Sequence, residues 1–462
     1  MFQLIIVLIF VIVMTLIGVL TRKNATDTKN FFVMGQKGST LYIAGSLFAT
    51  IIGASATLGM AGLGYSRGLT GMWWLLPGSI GLMILGIFFA RKVRETGLYT
   101  LPELATKQYN RWVGLAVSIL IPVAWLGVIG GQIVAAGKIM AVLGIGSPEL
   151  WMVISTAAFV IFTVIGGQWA AIKTDLYQGI VIIIGIGGGL IFILIKIGGL
   201  GTLISQSPAS YWSFPLSENF GVYDMVKLLL LVGLTYVVGP DIYSRILSAR
   251  DGTTARRSVF WAAALLLPLM FAIVIIGMSA SLLLPDIAAE QALPQIVKEV
   301  MPPMLSGLVL AALLCAVMSP SLLLSASTIV SEDIIHRLKP SLREKQVLLI
   351  SRIVVAIMGS LSLLVALYLK GIINSLLYAY TIFTAGVIPL IIAGFYREKL
   401  KVTPTGALAA LVGGGSLGLI SQVLKIKYLD LGALGASIIL LFGVSLFERK
   451  ITSSRKKNFQ QE

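Results

Sequence analysis

Apolar runs of about 20 residues recur along almost the whole chain, and this pattern constrains the fold more than any other feature of the sequence. A helix of that length crosses the hydrocarbon core of a bilayer with its backbone hydrogen bonds made internally. Of the 462 residues 57% are hydrophobic and 12% are charged. A soluble domain carries about 25% charged residues. The sequence therefore predicts an all-α membrane protein whose lipid partner is the bilayer.

Hydropathy delimits thirteen predicted transmembrane segments, numbered here as spans 1 to 13. Because their number is odd, the two termini are expected on opposite sides of the membrane. Their bounds are 2–21, 40–66, 70–90, 112–140, 149–167, 174–198, 223–244, 257–283, 305–332, 346–369, 372–396, 404–424 and 428–447.

Lysine and arginine are distributed unevenly between the two sets of loops. The loops on the side of residues 22–39 and of the C-terminal tail hold 26 of the 35, and the opposite loops hold 7. Basic loops stay in the cytoplasm, which predicts a multi-pass inner-membrane protein with its N-terminus outside and its C-terminus inside. The same loops account for the net charge of +16, so a nucleic-acid partner is not expected.

Catalytic and metal-binding residue types are scarce. The chain has one cysteine, Cys315, and one histidine, His336, and it contains neither an HExxH nor a GxxxxGK[ST] motif. The sequence therefore predicts a protein that is not an enzyme, binds no cofactor and does not use ATP directly.

Span 2 contains a segment with poor helix formers, Gly53-Ala54-Ser55-Ala56-Thr57. Secondary transporters unwind helices at mid-membrane to expose polar backbone to a solute or ion. We predict such a break here, with Gly53, Ser55 and Ala56 at the solute and the carbonyls of Ala49 and Ile52 facing a cation. Close helix packing through small residues explains the segment equally well.

Span 7 contains a second candidate break at Gly239-Pro240, followed at once by Asp241. Proline removes an amide donor, and a carboxylate at this depth is a candidate for a functional group. We predict that Gly239, Pro240 and Asp241 line the solute site. The alternative, which the local pattern favours for Asp241, is a helix end where this residue pairs with Arg245 one turn later.

The two candidate breaks are five spans apart, which predicts two inverted five-helix repeats. The repeats cover residues 40–198 and 223–396 within a single transporter domain. Residues 1–39 form the first helix and a cytoplasmic loop, residues 404–447 form two further helices, and residues 448–462 form a basic tail.

Several motifs occur together in an order that is typical of one family. They are Asn30-Phe31-Phe32-Val33-Met34-Gly35, Gly59-Met60-Ala61-Gly62, Gly64-Tyr65-Ser66, Gly166-Gly167, Thr174-Asp175 with Gln178, Arg245 with Ala249 and Asp251, Ala255-Arg256, Ala316-Val317-Met318-Ser319, and Ser331-Glu332-Asp333. In these motifs the chain resembles the sodium:solute symporters, which carry sugars, proline, pantothenate, sialic acid and similar solutes. The resemblance implies the LeuT-type inverted-repeat fold and transport by alternating access.

The resemblance also implies ion sites. The family's main sodium site maps onto the carbonyls of Ala49, Ile52 and Ala316 and the hydroxyl of Ser319. A second ion site, found in some members, maps onto Asp175 with a hydroxyl from span 9, for which Ser321 is the candidate. Two departures, Pro320 in place of a hydroxyl residue and Lys173 close to Asp175, leave a proton-coupled or uncoupled transporter as an alternative.

The solute is predicted from what the site lacks. Positions that match the sugar ligands of sugar-carrying members hold Ala56, Leu75 and Gly78, so an amino acid or carboxylate is favoured over a sugar. The positive end of a broken helix would hold the anionic group. A solute sensor acting with a separate signalling partner is a further alternative. External residues 284–303 are expected to form either a lid helix or a passive loop.

Overall fold

A computed structural model describes residues 5–6, 9, 12–13, 16–17, 20, 27–141, 144, 146–317, 321–369, 371–426 and 428–459. Most of predicted span 1 lies outside these residues. The predicted ion ligand Ser319 lies outside them as well. The described chain is helical with short connections, and its only paired strand-like residues form two isolated bridges, Gly38 with Ala249 and Ser217 with Phe220. The predicted all-α class is confirmed.

Within the described ranges, seventeen of the helices carry the architecture, and they are labelled here in chain order. They are α1 Thr40–Ile51, α2 Met60–Arg67, α3 Leu76–Phe88, α4 Arg111–Ala141, α5 Pro148–Ile197, α6 Val222–Leu228, α7 Leu234–Val238, α8 Pro240–Ser248, α9 Gly252–Leu283, α10 Ala292–Glu299, α11 Pro303–Val317, α12 Ser321–Thr328, α13 Glu344–Leu369, α14 Ile372–Gly386, α15 Ile388–Gly394, α16 Pro404–Leu424 and α17 Leu429–Phe459.

Several of these helical runs are long and apolar enough to cross a bilayer. Within the described ranges there are nine, or up to ten if the bent pair α14 and α15 forms one span. One of them, α5, has 50 residues and a non-helical glycine, Gly167, at φ 54° and ψ −156°. Predicted spans 5 and 6 meet at this kink, so a count of long helices merges them. The predicted total of thirteen spans stays a prediction.

The predicted break in span 2 is present. Helix α1 ends at Ile51, Ile52 leaves the helical region at φ −78° and ψ 67°, and a π-helical turn, Ser55–Gly59, leads into α2. The break is buried, because Ile52, Ala54 and Ala56 are at most 1% exposed.

The predicted break in span 7 is present as well. Helix α7 ends at Val238, Gly239 is extended at φ −58° and ψ 135°, and Pro240 begins α8. Proline suits this position because the first turn of a helix has no partner for its amide. Gly and Pro together therefore explain why the chain stops and restarts here.

The two broken segments are held by the long helices around them. Helix α9 packs against α1, α2 and α3, while α4 packs against α5, α13 and α14. Close approach depends on glycine at several crossings. A β-carbon at Gly277 in α9 would lie 2.0 Å from the carbonyl oxygen of Ala61 in α2.

Gly277→Ala is expected to destabilise the protein by about 1–3 kcal/mol, because α9 and α2 must move apart to accept the methyl group. The apparent melting temperature of the purified protein in detergent measures this. Gly187→Ala in α5 is the matched control, because no atom lies within 4 Å of its added β-carbon. Equal melting temperatures for the two variants would contradict the packing argument.

Candidate functional site

The two breaks meet at a cavity between α4, α7, α8, α12 and α14. The space open to the centre of a water molecule is about 30 Å³, which is small for a ligand pocket. The residues that line it are Thr50, Ile51, Gly53, Ser55, Trp125, Val128, Gln132, Thr235, Tyr236, Asp241, Ile242, Leu322, Leu376 and Tyr380.

The span 2 side of the cavity is irregular backbone held by one side chain of α4. The Gly53 amide donates to the Ile51 carbonyl at 2.9 Å instead of to Ala49 four residues earlier, and the Ala54 amide donates to Gln132 Oε1 at 2.7 Å. A β-carbon on Gly53 would lie 2.3 Å from Gln132 Nε2. A side chain at position 53 would therefore displace the Gln132 amide from its place at the break. Gly53 and Ser55 line the cavity as predicted, and the roles assigned to them and to Ala56 stay predictions.

The span 7 side places Asp241 in the first turn of α8, with its carboxylate against the cavity and against the amides of Asp241 and Ile242. The alternative that paired Asp241 with Arg245 is wrong. Arg245 Nη1 donates to the backbone carbonyl of Asp241 at 2.8 Å, while its Nη2 pairs with Asp175 at 3.3 Å. A contact between distant spans replaces the local pair. The predicted roles of Gly239, Pro240 and Asp241 in solute binding remain untested.

Asp175 is the centre of a buried polar network. Its Oδ2 accepts from Ser46 Oγ at 2.6 Å, from Ser321 Oγ at 2.9 Å and from Thr50 Oγ1 at 3.4 Å, besides the Arg245 guanidinium. The side chains of Asp175 and Arg245 are both 0% exposed. The structure thus brings together the two residues of the predicted second ion site, and it adds a cation that the sequence did not assign to them.

The ammonium group of Lys173, two residues before Asp175, lies over an aromatic ring of its own helix. Its Nζ lies over the Trp169 ring, 5.3 Å from the ring centroid. Lys173 was expected to compete with an ion for the Asp175 carboxylate. The cation that contacts this carboxylate is instead Arg245, which extends from α8 into the same network.

The residues predicted for the main sodium site lie on elements that pack together. Ala49 in α1 is buried, Ile52 forms the break, and Ala316 is the penultimate residue of α11, which contacts α1. Ser319 lies outside the described residues, as do Met318 and Pro320. The assignment of sodium to these groups stays a prediction.

The aromatic and amide groups of the cavity wall were not found from the sequence. Trp125 and Gln132 lie in α4, and Tyr236 and Tyr380 lie in α7 and α14, all within apolar helices. Trp125 packs edge-on against Phe383 with ring centroids 4.9 Å apart. The only sequence signal was a polar or amphipathic residue at mid-span, which no local motif accompanies.

Known proteins share this architecture. Residues 31–414 match the sodium:solute symporter family. The chain belongs to the sodium:solute symporter family. Among its relatives, the sodium/pantothenate symporter of Escherichia coli K12 is 27% identical over 440 residues, covering 91% of this chain and 90% of that protein. Sodium/proline symporter 2 of Staphylococcus saprophyticus is 26% identical over 468 residues, with coverages of 95% and 88%.

A solved structure of a Na⁺-coupled sialic acid symporter, in a substrate-bound outward-open state, has a TM-score of 0.82 to this chain at 19% identity, covering 97% of this chain and 98% of that one. Mhp1, a nucleobase-cation-symport-1 family transporter, gives a TM-score of 0.60 at 15% identity. The LeuT-like fold is confirmed. The symporter is a multi-pass membrane transporter and not an enzyme.

The predicted external loop 284–303 lies beside the span 2 break. It contains the turn Ala289–Gln291 and α10, which pack against the π-helical turn of span 2 and against α2, and these residues are called here the lid segment. Glu290 ties the lid segment to its surroundings, because it forms an ion pair with Lys138 of α4 and accepts from the Ile372 amide at the start of α14 at 3.3 Å. The expected helix in this loop is confirmed, and its role as a lid stays a prediction.

Glu290→Gln is expected to open the lid segment more often, since it weakens an ion pair and a charged hydrogen bond worth together about 1 kcal/mol, or about fivefold in an equilibrium. The measurement is labelling of Ser55→Cys by a membrane-impermeant maleimide, in a Cys315→Ala background. Glu299→Gln is the control, because Glu299 is half-exposed and pairs only loosely with Lys298 at 3.8 Å. A labelling rate equal to that of the control would show that Glu290 does not hold the lid segment.

Proposed function

We propose that this chain is a sodium-coupled symporter that carries a compact organic solute by alternating access. The observation that supports this most strongly is the cavity at which both broken helices meet, in a chain that belongs to the sodium:solute symporter family. Broken helices offer polar backbone at mid-membrane, where a solute and an ion can shed their hydration shells.

The coupling ion in this proposal is sodium, bound by the carbonyls of Ala49, Ile52 and Ala316 and the hydroxyl of Ser319. Oxygen ligands suit a hard cation that must be released on the far side. Support comes from the Gly53 amide, which bonds to Ile51 and so does not take the carbonyl of Ala49 in the helical pattern. Binding there would join α1 to α11, and thereby favour one state of the transport cycle.

The small cavity favours a compact solute over a bulky one. Only about 30 Å³ is open to the centre of a water molecule, so a large solute would require the walls to move further apart. We infer an inner-membrane location with the N-terminus outside and the C-terminus in the cytoplasm, on the ground of the 26 basic residues in one set of loops.

The test is uptake into proteoliposomes that contain the purified full-length protein. With an inward sodium gradient, accumulation of a radiolabelled amino acid or small carboxylate is expected, and it should collapse when potassium replaces sodium outside. L-proline, L-alanine, D-pantothenate and D-glucose form the first panel. Accumulation driven by a proton gradient alone would favour the proton-coupled alternative, and binding without flux would favour a sensor.

A further inference from the structure

The charges around the cavity do not balance. Asp175 and Arg245 are buried, Asp241 is partly buried, and the three guanidinium nitrogens of Arg245 are all engaged, with Ser46 at 3.2 Å, the Asp241 carbonyl at 2.8 Å and Asp175 at 3.3 Å. Arg245 thus forms its ion pair with Asp175 and contacts Asp241 through the backbone. Among the described residues that line the cavity there is no Lys, Arg or His. The lining therefore supplies no cationic side chain to the Asp241 carboxylate, and a carboxylate without full compensation inside a protein is costly.

The carboxylate of Asp241 receives only partial compensation. It faces the first amides of α8, whose helix terminus corresponds to about half a positive charge. The same contact occupies the positive end of α8, which was predicted to hold an anionic solute group. The helix terminus is thus already neutralised by the chain's own side chain, and an anionic group placed there would meet a carboxylate.

The walls beside Asp241 are aromatic. Tyr236 and Tyr380 interact with each other and lie within electrostatic range of Asp241, and Trp125 completes the lining. Aromatic faces attract organic ammonium groups, whereas a bare sodium ion requires oxygen ligands on several sides. A carboxylate among aromatic rings is therefore suited to an organic ammonium group more than to a metal ion.

The wall also holds donors for an oxygen atom of the solute. Trp125 is 1% exposed, and its Nε1 has no hydrogen-bond partner within the described part of the chain. Gln132 uses its Oε1 on the Ala54 amide, so its amide nitrogen is the group that it offers to a ligand. A buried donor without a partner is costly, which favours a ligand that supplies an acceptor.

We propose that the cavity binds a compact solute through a protonated amine or quaternary ammonium group on Asp241, with an acceptor oxygen of the same solute on Trp125 Nε1. This rests on the proposed function, in which the cavity is the transport site. It narrows the solute to amino acids, betaines and amino alcohols, and it excludes sugars and carboxylates that lack an amine.

The experiment measures binding of matched probes to the purified full chain in lipid nanodiscs with sodium present. Each pair differs in the cationic group: choline and 3,3-dimethyl-1-butanol, L-alanine and L-lactate, L-proline and cyclopentanecarboxylate. We expect the ammonium member of at least one pair to bind at least tenfold more tightly. Asp241→Asn should abolish that preference, while Asp286→Asn, which removes an exposed external carboxylate, should preserve it.

The outcomes separate this inference from the proposed function. An amine preference that depends on Asp241, found without sodium-driven uptake, supports the ammonium site and contradicts the transport role. Sodium-driven uptake of a solute without a cationic group overturns the ammonium site and leaves the transport role intact. Failure of every ammonium probe to bind overturns it as well. If Asp241→Asn does not fold, two measurements still test the ammonium site. They are the binding of the matched probes to the wild-type protein and to Asp241→Glu, which retains the carboxylate.

Discussion

Arg245→Met is expected to lower the free energy of unfolding by about 3–5 kcal/mol, because it removes the guanidinium that pairs with the Asp175 carboxylate at 0% exposure. The methionine fills much of the same volume, so lost packing contributes little. The hydroxyl groups of Ser46, Thr50 and Ser321 can still donate to Asp175, but they carry no charge. The measurement is reversible unfolding of the purified variant in mixed micelles.

The double variant Arg245→Met/Asp175→Asn distinguishes the effect of losing the ion pair from the effect of losing side-chain packing. Removing both charges is expected to restore most of the stability, since a buried pair and its neutral replacement often differ little. Arg257→Met is the control for the arginine change, because Arg257 is exposed, and it should shift stability by less than about 0.5 kcal/mol. Additive losses in the double variant would show that the two groups do not form a coupled pair.

The Asp175 network also shows where prediction from sequence stops. The breaks at Gly53 and at Gly239-Pro240 were predictable, because glycine and proline interrupt a helix through their own backbone chemistry. The partner of Arg245 was not, because Asp175 lies 70 positions away and the local rule offered Asp241 instead. Local propensity is encoded in neighbouring residues, whereas a buried ion pair depends on how separate helices pack.

The residues of the cavity wall also divide into those predictable from local sequence and those fixed only by helix packing. Glycine and serine of the span 2 break were predicted as lining, but Trp125, Gln132 and Tyr380 come from helices that are mostly apolar, with a few scattered polar residues. A helix that is apolar on all faces gives no amphipathic pattern from which its inward face could be identified. Only the packing of α4 and α14 around the two breaks selects these three side chains.

Gln132→Leu is expected to reduce sodium-driven uptake at least tenfold, the largest effect on transport that a neutral substitution in this cavity should have. Leucine keeps the approximate volume but leaves the buried Ala54 amide without its acceptor, at a cost of about 1–3 kcal/mol. The cheapest relief is for that amide to return to a helical partner, which would straighten the break and remove the polar backbone that faces the cavity. Initial uptake rates in proteoliposomes, corrected for the amount of protein inserted, measure the effect.

Gln422→Leu provides the matched control. Gln422 also makes one side-chain hydrogen bond, from Nε2 to Thr381 Oγ1 at 3.0 Å, but it lies in α16 and does not line the cavity. Loss of the hydrogen bond from Gln422 should change the uptake rate less than about threefold. A hydrogen bond away from the site contributes about 1 kcal/mol or less to the stability of the protein. If both variants transport alike, the break is held by the backbone alone and Gln132 has no special part in it. If only Gln132→Leu fails while its melting temperature stays near that of the wild type, the defect lies in the shape of the break, because a general loss of stability would affect both.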